Sequence, residues 1–303
     1  MNRTVGISDH GARAIQDFIE TLAIPEALTP KTLKEYASDL KQFIAWFETI
    51  DRRDAEDAFR IEAVTESAIV RYREAARQEM ALKPATVNRR LITLKRFFGW
   101  AAAEWRISLD PAKAVKLVPE TKASPRRMQE YEEAALIAAV EQGGSLRDLT
   151  ILLVMLHAGL RTMEVCDLAP NDIRLGKRVS ELTVRSAKGD KRREVPLNDV
   201  CSAALAAYLA ASSEHSPYLF PSEKTGDRLT ERALRHLVRK YMTAAGLEGL
   251  SAHDLRHRFG YAEAENMPLH RLARLMGHDR PETTMHYYKA TPEEYRTEAG
   301  SSA

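Results

Sequence analysis

The sequence has little cysteine, no long apolar run and almost no net charge. Only Cys166 and Cys201 occur in 303 residues, which excludes a disulfide framework; both lie among apolar neighbours and read as buried, reduced thiols. No apolar stretch reaches bilayer-spanning length, and Met1 to Gly6 lacks a signal-peptide pattern, so the expected compartment is the cytoplasm and no membrane partner is expected. Forty-five basic residues against 43 acidic ones leave +2, too little for total charge to announce a nucleic-acid binder. No glycine-rich nucleotide loop and no carboxylate cluster suited to a metal is present, so neither a cofactor nor a metal is expected.

The distribution of charge is more informative than its total. Between Lys83 and Arg127 eleven Lys and Arg stand against Glu104, Asp110 and Glu120, a block of +8 in a chain of +2. Such a block is the footprint of a phosphate-facing surface. It begins on a helix after Pro84 that carries Thr86, Asn88, Arg89, Arg90, Lys95 and Arg96 opposite an apolar stripe, and it runs on to Arg126 and Arg127. A charge run by itself is an ordinary solvated face; its continuation beyond the helix makes these residues the expected DNA contacts.

Helical periodicity dominates the first hundred residues, as in Ala14-Ile15-Phe18-Ile19-Leu22 and Leu33-Tyr36-Leu40-Phe43-Ile44-Phe47. Thr29-Pro30 and Lys83-Pro84 mark helix starts. Residues 1–109 are therefore expected to form a bundle of four or five helices. Residues 110–127, with three prolines, several lysines and no amphipathic period, read as an extended basic linker, and residues 128–303 as a second domain.

That second domain opens with helical patterns at Gln129–Glu141 and Asp148–His157, the latter ended by Gly159. Thr162 is expected to cap a short helix, placing Arg161 at the junction. Period-two alternation in Ser180–Arg185 and Arg192–Leu197 flanks Lys188-Gly189-Asp190-Lys191 and predicts a β-hairpin. Helices resume at Cys201–Ala211 and Glu231–Ala245, where Arg232 and Arg235 are further candidate DNA contacts. The tail from Pro292 reads as poorly ordered. The fold class is thus mainly α with a small β-sheet.

The richest stretch runs from Ser251 to Lys289. His253 and Arg256 are three apart and share one helix face, Ser251 is a candidate N-cap, Gly277 ends the run from Leu269 and sets His278 just beyond a helix end, and Tyr287 and Tyr288 follow. Cations, imidazoles and a phenol suit an anion whose charge is held while a hydroxyl attacks it, and a phosphodiester is the obvious candidate.

Taken in order, Arg161-Thr162-Met163-Glu164, the hairpin Lys188, His253-x-x-Arg256, Gly277-His278 and Tyr287 resemble the tyrosine recombinases of the phage integrase family, and the layout is similar to the Xer and transposon-encoded branch. The resemblance spans nearly the whole chain. It implies a SAM-like core-binding bundle followed by an α+β catalytic domain, closing as a C-shaped clamp on double-stranded DNA with short inverted half-sites and acting as a tetramer, either of one protein or with a partner recombinase. The nucleophile stands nine residues after the Gly-His histidine, which selects Tyr287 over Tyr288. Tyr287 would form a 3′-phosphotyrosyl link; Arg161 and Arg256 would fork onto the nonbridging oxygens; Lys188 would protonate the leaving 5′-oxygen; His253 and His278 would assist; Glu164 would orient Arg161 or a histidine.

Competing readings are a type IB topoisomerase, which shares the chemistry, and a DNA-binding relative without catalysis. His253 and His257, with Asp254 between them, also resemble the zinc-protease helix motif, but aspartate is shorter than the glutamate that chemistry uses and no third ligand follows.

Overall fold

Helix packing accounts for nearly all of the structure, a computed structural model that describes residues 6–23, 28–50, 59–120, 125–185, 192–212 and 216–288. The chain divides into two units, Met1–Lys122 and Ala123–Ala303. Two expectations, the role of Lys188 and the disorder of the tail from Pro292, lie outside the described residues.

The first unit holds α1 (Asp9–Ala23), α2 (Pro30–Ile50), α3 (Glu66–Gln78) and α4 (Pro84–Ala103). The apolar residues that set the helical period, among them Phe18, Leu40, Phe43, Ile44, Phe97 and Phe98, are buried together. Edge-on ring contacts lock the layers, with Phe18 5.4 Å from Phe97 and Phe43 5.1 Å from Tyr72, a geometry aromatic quadrupoles favour. Pro84 occupies the first turn of α4 as expected.

The stretch read as an extended linker departs from that reading. Ala112, Val115 and Val118 are buried in the bundle core, the Lys95 ammonium donates to the Ala112 and Lys113 carbonyls at 2.8 and 2.9 Å, and Asn88 bonds the Val118 backbone on both sides. Three small apolar residues at a spacing of three were enough to anchor the segment, and the flanking prolines obscured them.

The second unit holds α5 (Glu130–Gln142), α6 (Leu146–Ala158), α7 (Thr162–Asp167), α8 (Asp199–Ala211), α9 (Glu231–Ala244), α10 (Ala252–Ala264) and α11 (Leu269–Met276), with 3₁₀ turns at Pro281–Thr283 and Met285–Tyr288. Every residue from Ile151 to Leu156 is buried, so α6 runs through the middle of this core, as its uninterrupted apolar sequence requires. A three-stranded antiparallel sheet, β1 (Ile173–Arg174), β2 (Ser180–Arg185) and β3 (Arg192–Leu197), flanks it. The β2 and β3 spans match the alternating segments of the sequence; β1, two residues long, is too short to leave a period. Cys166 and Cys201 are buried and unpaired, and burial raises their thiols to about 11 and 12, which keeps both protonated.

Register sets up the site. Arg193 pairs with Val184 and lies two residues before buried Val195, so its side chain leaves the inward face of β3. An arginine in that position needs an acid, and α7 supplies one.

Candidate active site

Two helix ends supply its frame. α6 ends on Gly159 with φ of +60° and α11 on Gly277 with φ of +64°, left-handed positions that glycine adopts without strain. Close packing adds to the requirement: a Cβ on Gly159 would lie 2.2 Å from the Phe259 ring, and one on Gly277 would lie 2.8 Å from an Arg193 Nη. The carbonyls exposed at these ends have no partner within their helices, and two arginines take them up. Arg256, from α10, donates to Gly159 O at 2.5 Å and to Met276 O at 2.6 Å. Arg161 donates to Gly277 O at 2.6 Å and to Glu164 Oε1 at 2.9 Å.

Neutral acceptors orient a guanidinium without cancelling its charge, and the partial negative charge of a helix C-terminus favours the cation. Arg256 is only 2 % exposed. Burial and neighbouring Arg161 lower its pKa to about 10, which leaves it charged at neutral pH. The Arg161 side chain keeps 42 % of its surface open.

Glu164 ties this frame together. It accepts the Arg161 backbone N–H at 2.7 Å and a bidentate fork from Arg193, both contacts 2.8 Å, while Arg193 Nε donates to Leu275 O at 2.8 Å. Burial pushes the Glu164 carboxyl upwards, but the Arg193 fork and then Arg161 overcome it and hold the group at about 2. Arg161 itself occupies the N-cap position of α7; Thr162, expected there, is the first helical residue and its hydroxyl contacts Glu231 at 3.1 Å. Glu164 bonding back to the Arg161 N–H supplies the third-residue half of a capping box.

α10 starts as predicted, with Ser251 accepting from the His253 N–H at 3.3 Å and Asp254 accepting from the Ser251 N–H at 2.8 Å. Its other end receives Tyr287. Gly260 makes the space: a Cβ there would come within 2.5 Å of the phenol Cζ. Tyr261 stands edge-on at 5.1 Å, His286 lies at 3.9 Å, and the Tyr287 hydroxyl is 2.8 Å from His257 Nδ1. The ring is 6 % exposed. Burial raises the phenol to about 12 even though Arg256 and Arg161 pull it down. Tyr288 differs: its hydroxyl donates to Met267 O at 2.6 Å on the exposed side.

The histidines here are neutral. His278 lies 3.0 Å from an Arg256 Nη through Nε2 and 2.8 Å from the Thr284 hydroxyl through Nδ1; since arginine can only donate, Nε2 accepts and Nδ1 carries the proton. Burial, then Arg256 and Arg161, drop its pKa to about 3. Burial and nearby His253 and His286 lower His257 to about 4. His253, whose ring meets His257 at 4.3 Å, is lowered by burial and Arg256.

Of the residues read as catalytic, Arg161 hydrogen-bonds Glu164 and Arg256 hydrogen-bonds His278, the two pairs approaching at 3.9 Å between Arg256 Nη and Glu164 Oε2, and His253 and Tyr287 meet through His257. Lys188 is outside the described residues. Sequence reading missed Arg193, Thr284 and His257 in this role. Arg193 had a usable signal, an arginine in phase with Val195 and Leu197; Thr284 had none.

The expected DNA contacts divide. Asn88 is corrected: it is 7 % exposed, and its amide is engaged by Val118 N, Val118 O and Glu120. Arg89 pairs with buried Asp39 at 2.6 Å, Arg90 donates to the Tyr72 hydroxyl and Arg96 to the Tyr36 hydroxyl, each at 3.0 Å. Lys95 is held by backbone carbonyls as described. Arg126 pairs with Glu132, Arg127 with Glu265, and Arg235 with Glu231 at 2.5 Å. Thr86 is half-buried on α4, and Arg232 is exposed on α9.

Comparison with known proteins converges on one family. Residues 126–294 match the model described as phage integrase family, and residues 15–105 the phage integrase N-terminal SAM-like domain. The tyrosine recombinase XerD of Ralstonia nicotianae is 30 % identical, covering 97 % of this chain and 95 % of that protein. XerC of Proteus mirabilis is 28 % identical over 95 % and 92 %. Among solved structures, a lambda integrase (75–356) dimer bound to a COC′ core site superposes with a TM-score of 0.72 at 18 % identity, covering 92 % of this chain and 95 % of that one. XerH recombinase bound to a palindromic difH substrate, a post-cleavage complex, also gives 0.72, at 19 % identity over 88 % and 79 %.

Proposed function

The chain belongs to the phage integrase family and is a tyrosine site-specific recombinase; from that premise we propose that Tyr287 is its nucleophile and that Arg161 and Arg256 grip the scissile phosphate. The supporting observation is the pair of guanidiniums held by helix-end carbonyls beside a buried phenol. In strand cleavage the Tyr287 oxygen attacks phosphorus and the P–O5′ bond breaks, leaving a 3′-phosphotyrosine and a 5′-hydroxyl. The nonbridging oxygens gain charge in the pentacoordinate transition state, where preorganised cations stabilise most. His278, neutral with Nδ1–H fixed on Thr284, accepts from Arg256 through Nε2 and keeps that guanidinium from rotating.

Lys188 is assigned as the acid that protonates the leaving 5′-oxygen, on the family pattern. One ester replaces another, so the exchange balances without nucleotide or metal. The wider reading is that the bundle, with Ala112, Val115 and Val118 packed into its core, and residues 128–303 act as core-binding and catalytic domains on duplex DNA with inverted half-sites. Four copies, or copies together with a partner recombinase, would exchange strands in the cytoplasm.

The test uses duplexes selected by the purified chain from a random-sequence pool and nicked beside the cleavage point to trap the intermediate. Tyr287→Phe is expected to bind the duplex normally and form no covalent adduct. An adduct that persists would transfer the role to Tyr288 and refute this assignment. Relaxation of a plasmid lacking the selected site would favour the topoisomerase reading.

A further inference from the structure

We propose that His257 receives the phenolic proton of Tyr287 during strand cleavage and returns it on rejoining. This rests on the strand-transfer reading above. His257 was no more than half of a weak zinc-motif resemblance in the sequence, yet its Nδ1 lies 2.8 Å from the Tyr287 hydroxyl.

The direction of that hydrogen bond follows from what surrounds it. The phenol is buried, and among the described residues its hydroxyl has no other hydrogen-bond partner. Were Nδ1 protonated and donating, the phenolic hydrogen would be left buried without an acceptor, at a cost of about 1–3 kcal/mol. The satisfied arrangement has the hydroxyl donating to an unprotonated Nδ1, the state a base must start from. The other imidazoles are placed for different tasks. Both nitrogens of His278 are engaged, by Arg256 and Thr284; His253 meets the His257 ring; and His286 meets Tyr287 ring to ring, its Nε2 buried without a hydrogen-bond partner among the described residues.

The step balances. As Oη bonds to phosphorus, its proton passes to His257 Nδ1, giving an imidazolium; the leaving 5′-oxygen takes its proton from the acid on its own side. On rejoining, the 5′-hydroxyl attacks phosphorus and returns its proton to that same acid, the P–O bond to Tyr287 breaks, and the departing Tyr287 oxygen recovers its proton from His257. Because α10 carries Arg256 and His257 as consecutive residues, one helix presents both the phosphate grip and the proton acceptor. The charged and titratable groups facing His257 are His253, Asp254 and Arg256 from α10 and His286 and Tyr287 from the turn.

Two measurements test the assignment. Nitrogen-15 histidine NMR on the full chain without DNA is expected to find His257 Nδ1 unprotonated, with a shift that moves in Tyr287→Phe; a protonated Nδ1 would overturn the proposal. On the selected nicked duplex, His257→Asn keeps a hydrogen-bonding atom near the Nδ1 position but cannot accept the proton. It is expected to bind DNA normally and to form adduct about 10²-fold more slowly at pH 7, the deficit narrowing towards pH 9 as hydroxide substitutes for the base. A rate within about twofold of the parent, or a deficit constant with pH, would refute the base while leaving strand transfer intact. A parent chain that binds the duplex but forms no adduct at any pH would sink the strand-transfer reading, and this assignment with it.

Discussion

Arg89 of the bundle and Arg256 of the catalytic unit are held in opposite ways. In the first unit Arg89 is matched to the carboxylate of Asp39, and Asn88 is closed into the backbone around Val118. In the second, Arg256 is fixed by two carbonyls and an imidazole, and Arg161 by one carbonyl and a carboxylate already shared with Arg193. Three guanidiniums around one carboxylate leave positive charge available to a ligand. The difference separates arginines that hold a fold together from arginines that a fold holds ready.

Breaking the ready charge should have the largest effect. Arg256→Ala is expected to slow adduct formation about 10²–10³-fold, the scale of losing an oxyanion donor, with duplex affinity reduced much less; equal losses in both would make Arg256 a docking residue. Glu164→Gln ranks next. It keeps the shape but weakens the charge-assisted contacts with Arg161 and Arg193, so a loss of about 10-fold or more in rate is expected, together with a lower melting temperature. Gly277→Ala sharpens the geometric side of the comparison. Its left-handed backbone and the contact with Arg193 should cost about 1–3 kcal/mol of stability, read by denaturant unfolding, and should loosen Arg161 from its carbonyl. Asn88→Ala, in the bundle, is expected to cost about 1–3 kcal/mol for the unsatisfied Val118 groups while leaving the cleavage rate of the bound complex unchanged.

Acid should separate the two units more gently. His257 and His278 have folded pKa values of about 4 and 3, below the ordinary 6.5, so between those limits the unfolded chain binds protons the folded one refuses. Stability from these groups is therefore present near neutrality and is lost as pH falls below about 6.5. Glu164, held near 2 against an ordinary 4.5, adds a loss in the same direction below about 4.5. Asp39 in the bundle is shifted upward by burial, so its contribution has the opposite sign. Hydrogen exchange on the full chain at pH 7 and pH 5 should accordingly show α10 and α11 losing protection before α2 and α4; the reverse order would contradict the signs of these shifts.

Much of the molecule was legible in its residues. The apolar period of α2 and α4, the alternation of β2 and β3, and glycine at the ends of α6 and α11 are local signals, and the structure follows them. The residues proposed as catalytic were picked out by their order along the chain, and the structure brings Arg161, Glu164, Arg256 and His278 to the same helix ends. What stayed hidden needed tertiary partners. Nothing in the neighbourhood of Asn88 says that Val118 will return to it, and a charged helix face reads the same whether its arginines meet phosphate, Asp39 or a tyrosine hydroxyl. His257 was obscured because a second histidine one turn after His253 points to a metal as readily as to a phenol 30 residues away.

Whether carbonyl-held guanidiniums stabilise charge on the scissile phosphate is tested most directly by removing that charge from the DNA. With a methylphosphonate at the cleavage position of the selected duplex, the parent chain and Arg256→Ala should form adduct at rates far closer than the 10²–10³-fold gap expected on phosphodiester. An undiminished gap on the neutral substrate would mean that Arg256 acts by shape alone and that its charge plays no part in the reaction.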